Sequence, residues 1–101
     1  MAYIKPGTRR WFVEWIPDAD VPQSFKDDED RDLGDVYKWE KTRAFNSREL
    51  AETFAKVIAE TIPLFWGIVD LREMEYQHVA DGFHAWEQIK HEEFEPTGAR
   101  S

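Results

Sequence analysis

The stretch FNSRELAETFAKVIAETIP, residues 45–63, decides the fold because it predicts one amphipathic helix. Its apolar side chains recur at helical spacing, at Leu50, Phe54, Val57, Ile58 and Ile62. Asn46 is a favourable N-cap residue, and Glu49 three positions later completes a capping box. Pro63 cannot continue a helix. We therefore predict a helix over residues 47–61.

Two β-strands are predicted before this helix. RRWFVEWI, residues 9–16, is rich in aromatic and β-branched residues and is followed by Pro17. DVYKWEKTRAF, residues 35–45, alternates in the manner of a second strand. The predicted buried face of this second strand carries Tyr37, Trp39 and Phe45. Residues 17–35, between the two strands, are dense in Asp and contain Pro, which predicts an exposed acidic loop.

Two further strands are predicted after the helix, within residues 64–80 and 83–94. Asp81-Gly82 lies between them and is a strong hairpin signal. Counting outward from a two-residue turn gives the facing pairs Ala80–Phe83, Met74–Ile89 and Glu73–Lys90. The helix-forming composition of residues 83–94 leaves a helix as the alternative there. The apolar pair and the ion pair favour the strand.

The element order β-β-α-β-β predicts a single α+β domain over residues 1–95. The expected architecture is an antiparallel sheet of about four strands, with the helix of about residues 47–61 packed on one face. The acidic loop occupies about residues 17–35. Residues 96–101 are expected to form a frayed tail.

The composition excludes several classes of protein. The 101 residues include no Cys, which excludes a disulfide scaffold and Cys-bound zinc. No apolar run approaches the ~18 residues that a membrane-spanning helix needs. The first residues lack the apolar core of a secretory signal. We therefore expect a cytoplasmic protein with no membrane association.

The net charge of −8 is distributed unevenly. Residues 17–35 and residues 70–95 each carry a net charge of −6, whereas the rest of the chain carries +4. Binding along a nucleic-acid backbone needs clustered Lys and Arg, so direct nucleic-acid binding is disfavoured. An acidic surface instead suits a basic protein partner.

The sequence shows no pattern typical of catalysis or metal binding. A calcium-loop register that starts at Asp28 places Leu33 where a glycine is needed. In the predicted hairpin the three histidines do not converge as metal ligands do: His78, His84 and His91. A nucleophile motif and a phosphate-binding glycine loop are also missing. We expect no enzyme activity, no catalytic residue, no metal and no cofactor.

Residues 41–55, KTRAFNSRELAETFA, join a basic strand end to a capped helix. This pattern resembles small phage and mobile-element β-β-α-β domains, and it is similar to the arm-type DNA-binding domains of tyrosine integrases. The resemblance implies a helix that follows a short antiparallel sheet, with DNA bound by the sheet. The basic residues available to such a DNA-binding accessory domain are Arg9, Arg10, Lys38, Lys41, Arg43 and Arg48.

The main functional hypothesis is a non-enzymatic acidic interaction module. It would be a phage or mobile-element inhibitor of the anti-CRISPR or anti-restriction type, which occupies a basic groove of a host nucleic-acid-binding protein. The candidate partner-binding residues are Asp27, Asp28, Glu29, Asp30, Asp32, Glu73, Glu75 and Glu92. A third hypothesis is a structural or assembly homodimer, formed through an exposed sheet edge or an aromatic patch with Trp66 and Trp86.

Overall fold

Four antiparallel strands form one sheet in the computed structural model, which describes residues 4–80 and 83–97. The strands are β1 (Arg9–Trp15), β2 (Lys41–Phe45), β3 (Val69–Ala80) and β4 (Phe83–Phe94). The helices are α1 (Gln23–Lys26) and α2 (Arg48–Thr61), and 3-10 helices span Asp18–Asp20 and Leu33–Trp39. The strand order is β2-β1-β3-β4. The predicted four-stranded antiparallel α+β fold, with a helix between the second and third strands, is confirmed.

Helix α2 begins one residue later than the predicted capping box requires. The Oγ of Ser47 accepts a hydrogen bond from the Leu50 N–H, so Ser47 is the N-cap and the prediction of Asn46 is wrong. Asn and Ser are both good N-cap residues, so residue type alone does not decide between them. Strand β2 runs to Phe45, and Ser47 is the residue in extended conformation that directly precedes the helix. Within the described part of the chain, neither α2 nor any other helix is long and apolar enough to span a membrane.

The main core lies between α2 and one face of the sheet. Small side chains line the buried stripe of the helix, at Ala51, Ala55 and Ala59. They pack against fully buried residues of the two central strands, Val13, Val69 and Leu71. Trp15 of β1 meets Phe54 of α2 edge to face, with ring centroids 5.3 Å apart. These contacts hold β1 and β3 beneath the helix.

A second, smaller core lies under the segment that joins β1 to β2. Its buried residues are Ile16, Val21 and Val36. Phe25 of α1 and Trp39 pack against it, with their ring centroids 5.1 Å apart. The acidic loop predicted for residues 17–35 therefore contains short helices and covers apolar side chains of its own.

The strand predicted over residues 35–45 is wrong in its first half. A 3-10 helix repeats every three residues, so Val36 and Trp39 share its buried side while Tyr37 points away and is 56 % exposed. Asp32 starts this helix by accepting a hydrogen bond from the Gly34 N–H. Strand pairing begins only at Lys41.

The β3–β4 hairpin confirms that residues 83–94 form a strand. Ala80 faces Phe83 and Glu73 faces Lys90, as predicted. The pair Met74–Ile89 is wrong, because Met74 faces Gln88. The register shifts once beside Gln77 on β3 and once beside Ile89 on β4, and the second shift restores the register that the first one changed. Local sequence carries no signal for such paired bulges.

Two sequence predictions fall partly or wholly on residues that the structure does not describe. The predicted Asp81-Gly82 turn lies outside the described residues, as do residues 98–101 of the predicted tail. Thr97 is described, and both its backbone N–H and its hydroxyl donate to the Glu60 carboxylate of α2, at 2.7 and 2.8 Å.

Candidate functional site

Glu73 lies at the centre of an ionic network at the N-terminal end of α2. The residue is 8 % exposed. Its carboxylate accepts hydrogen bonds from Trp11 Nε1 at 3.1 Å, from Arg9 Nη1 at 2.9 Å and from Arg48 Nη1 at 3.1 Å. Its position on β3 puts it on the helix-facing side with Leu71. Because two of its three donors are the guanidinium groups of Arg9 and Arg48, its charge is balanced by residues of this chain.

The other two predicted strand carboxylates belong to the same network. Arg9 Nη2 lies 3.2 Å from Glu75, and the Arg48 guanidinium pairs with Glu92. Lys90 also approaches Glu92, at 3.2 Å. Glu73, Glu75 and Glu92 are thus brought together, but they are held by cations of the same chain.

The pKa values of this network reflect the balance of burial and charge. Desolvation raises the pKa of Glu73, but the hydrogen bonds from Trp11 and Arg9 and the charges of Arg9 and Arg48 lower it by more. The pKa of Glu92 is lowered in the same way against desolvation, by Lys90 and Arg48. Both groups are therefore held in the charged form.

The acidic segment, which we define as residues 27–32, presents a different picture. All five of its predicted partner-binding residues are exposed: Asp27, Asp28, Glu29, Asp30 and Asp32. None of them forms an ion pair with any cation in residues 4–80 or 83–97. With Arg31 included, the segment carries a net charge of −4.

The bonds made by the acidic segment are local, and none of them joins a carboxylate to a cationic group. Asp27 accepts from the Gln23 side chain at 2.8 Å, and Asp28 accepts from the Asp30 N–H at 2.9 Å. Arg31 Nη1 donates to the backbone oxygen of Asp28 and not to a carboxylate. These bonds fix the course of the chain while leaving the carboxylate charges uncompensated.

The basic residues proposed for DNA binding are distributed over different parts of the molecule. Arg9 and Arg48 belong to the ionic network described above, and Lys41 lies 3.5 Å from Asp20. Arg43 stacks over the Phe45 and Phe54 rings, on the helix side of the sheet. The remaining two cover separate tryptophans: Arg10 lies over Trp86 and Lys38 over Trp39. The structure does not place these six residues in one patch.

Trp66 and Trp86, the two tryptophans of the predicted aromatic patch, lie in separate contacts. Trp86 packs on Tyr76 and Phe12, on the sheet face away from α2. Trp66 precedes β3 and packs edge to face on Tyr37, with ring centroids 5.2 Å apart. Trp66 lies before the start of β3 at Val69, whereas Trp86 contacts Tyr76 of that strand. Between Val69 and Tyr76 the strand rises by roughly 23 Å at about 3.3 Å per residue, so the two tryptophans lie in contacts that are far apart along β3.

A cluster of titratable groups on the sheet face away from α2 was missed by sequence reasoning. Glu14 of β1 faces Asp70 of β3, and the Arg72 guanidinium bonds to Glu14. His91 Nε2 lies 2.7 Å from Asp70 Oδ1. Glu40 lies nearby, and its pKa is raised by desolvation and by the charges of Glu14 and Asp70, against the effect of Arg72. The signal for this cluster was the β1–β3 register, which the sequence alone does not give.

The described residues contain no group of three His, Asp or Glu side chains arranged to hold a metal ion. Comparisons with protein-family models, curated proteins and solved structures give no match to this chain.

Proposed function

We propose that this chain is a non-enzymatic interaction module that binds a basic surface of a partner protein through the acidic segment. The observation that carries the proposal is the contrast between two sets of carboxylates. Glu73, Glu75 and Glu92 are neutralised within the chain, whereas the carboxylates of the acidic segment are exposed and uncompensated.

A basic partner supplies what the acidic segment lacks. Like charges close together repel one another, and a cationic surface relieves this repulsion when it binds. Complementary charge also speeds association and fixes orientation. A Lys- and Arg-lined groove that binds phosphates would be occupied by these carboxylates, so the chain would compete with nucleic acid for that groove.

The biological role that we propose follows from this competition. The chain would act in the cytoplasm as a phage or mobile-element inhibitor of a host nucleic-acid-binding protein, of the anti-CRISPR or anti-restriction type. Direct contact of Glu73, Glu75 and Glu92 with the partner stays a prediction. These residues would take part only where a partner displaces their present arginine partners.

The test measures the release of a labelled DNA duplex from protamine, a basic DNA-binding peptide, at about 150 mM salt. The loop triple variant, Asp27→Asn, Glu29→Gln and Asp30→Asn, removes three charges from the acidic segment. Loss of three exposed ion pairs at about 0.5 kcal/mol each should raise the protein concentration needed for release about tenfold.

The matched control changes the net charge equally at exposed sites elsewhere, with Glu49→Gln, Glu87→Gln and Glu93→Gln. This variant should release the duplex nearly as well as the unmodified chain. An equal loss in both triples would show that only net charge matters and would refute the acidic segment as the site. Retardation of the free duplex by the chain alone would favour DNA binding instead.

A further inference from the structure

We propose that Tyr37 and Trp66 form an aromatic anchor beside the acidic segment, which makes this surface select arginine side chains of a partner protein over lysine side chains. This inference rests on the proposed function, because it names the partner chemistry that the same surface recognises. The two rings form a T-shaped pair, and both residues remain substantially exposed, Tyr37 at 56 % and Trp66 at 40 %.

Residues of the second core hold both rings of the anchor in place. Tyr37 projects from a 3-10 helix whose neighbouring residue Val36 is fully buried. The ring of Trp66 lies 6.3 Å from that of Phe65, whose backbone N–H donates to the Ile16 oxygen at 2.9 Å. Gly67 follows with a φ of +73°, a conformation that residues with a Cβ disfavour, so the turn after Trp66 requires glycine at this position. Rigid exposed aromatics lose little entropy on binding.

The acidic segment and the anchor are both supported by the second core. The segment runs from α1 to the 3-10 helix that carries Tyr37. Just before the segment, Phe25 of α1 packs on Phe65 with ring centroids 6.2 Å apart, and Phe65 also contacts Trp66. At its end, Asp32 caps the helix of Tyr37. Both ends of the segment are therefore tied to the second core that supports the anchor.

Cations of this chain already cover four aromatic rings outside the anchor. Lys38, Arg43 and Arg10 lie over other rings, namely Trp39, Phe45, Phe54 and Trp86. In the part of the chain that the structure describes, no cation lies over Tyr37 or Trp66. The faces of these two rings are thus open to a cation from outside.

Arginine fits this combination better than lysine does. A guanidinium is planar and weakly hydrated, so it can stack on an aromatic face while its N–H groups bond to carboxylates. The lysine ammonium is a strongly hydrated point charge, which gains mainly from the carboxylates. Carboxylates alone also favour arginine to some degree, because a guanidinium pairs with a carboxylate through two parallel N–H bonds. The part of the preference that depends on Tyr37 and Trp66 is therefore the part that the anchor supplies.

The test compares the binding of fluorescent nona-arginine and nona-lysine peptides by anisotropy at about 150 mM salt. The unmodified chain should bind the arginine peptide about fivefold or more tightly than the lysine peptide, as expected for a cation–π contribution at a partly exposed site. The double variant Tyr37→Leu, Trp66→Leu should reduce this preference severalfold and keep its affinity for the lysine peptide, since the carboxylates that remain still favour arginine to some degree. Equal binding of both peptides by the unmodified chain would overturn the inference.

Three further variants separate the possible failures. Phe83→Leu changes an aromatic residue that is 77 % exposed on the distant hairpin, and it should leave both affinities unchanged. Tyr37→Leu alone should also reduce the arginine preference. Circular dichroism shows whether the double variant folds; if it does not, the peptide affinities of the Tyr37→Leu variant provide the test. The loop triple should weaken the binding of both peptides. If it does so while the double variant keeps the full arginine preference of the unmodified chain, the proposed function stands and the anchor is refuted. If the loop triple weakens neither peptide, both proposals fail.

Discussion

The carboxylate of Glu73 joins two elements to β3, because it accepts hydrogen bonds from Trp11 and Arg9 on β1 and from Arg48 on α2. A partly buried carboxylate with three donors is costly to replace, since its loss leaves cations and an indole N–H without their acceptor. Glu75, two residues further along β3, has one arginine partner and is more exposed.

Glu73→Gln should lower the free energy of unfolding by about 2 kcal/mol, because a neutral amide cannot balance the two guanidinium groups. The measurement is urea denaturation near neutral pH. Glu75→Gln is the matched control, and the loss of its exposed pair should cost about 0.5 kcal/mol or less. Equal effects of the two substitutions would show that Glu73 has no special structural role.

The sequence suggested Glu73 as a candidate for contact with a partner protein, together with Glu75 and Glu92. The parity of β3 alone was sufficient to put Glu73 on the same side as Leu71. What it could not supply was the position of Arg48, because the distance between a helix and a strand 25 residues later depends on the packing of α2. A charged residue on a core-facing strand position was the available signal for internal pairing.

Helix α2 was predictable to within one residue because its signals are local. The apolar stripe, the polar cap region and Pro63 all lie within a single stretch of chain. The 3-10 helix Leu33–Trp39 was not predictable in this way, since Tyr37, Trp39 and Phe45 also fit one face of an alternating strand. Only the second core, assembled from distant residues such as Ile16 and Phe65, decides between the two structures.

The start of α2 gives a direct test of the cap. Ser47→Ala should lower the midpoint of thermal unfolding by the equivalent of about 1 kcal/mol, because the Leu50 N–H loses its side-chain acceptor. Asn46→Ala removes the residue that the sequence favoured and should change the midpoint little. The reverse order of effects would show that the helix begins at the predicted capping box.

At the scale of the whole molecule, the carboxylates whose pKa values are shifted respond to pH in opposite directions. The lowered pKa values of Glu73 and Glu92 mean that these residues stabilise the fold when charged. Their contribution is present above the ordinary pKa of 4.5 and is lost as the pH falls through the lowered values in the folded protein. Glu40 has a raised pKa, so its ionisation, as the pH rises through and above 4.5, destabilises the folded state.

Glu40→Gln should therefore raise the thermal midpoint near neutral pH, where the carboxylate is charged beside Glu14 and Asp70. The gain should disappear below the ordinary pKa of 4.5, where Glu40 is protonated in both folded and unfolded chains. Thermal melts across this range provide the measurement, with the exposed Glu49→Gln as control. A gain that is independent of pH would contradict this origin.

The two bulges of the β3–β4 hairpin determine which single residues can be deleted without a change in the strand register. Gln77 and Ile89 are the residues without a facing partner in the register. Deletion of either residue leaves every other cross-strand pair in place and removes a local bend. Deletion of Gln77 also removes the hydrogen bonds that its side chain donates to Glu75 and Glu87. Deletion of a paired residue such as Glu75 instead turns its neighbours to the opposite face. Length variation in this hairpin is therefore expected at these two positions, where it preserves both the Glu73 network and the contact between Tyr76 and Trp86.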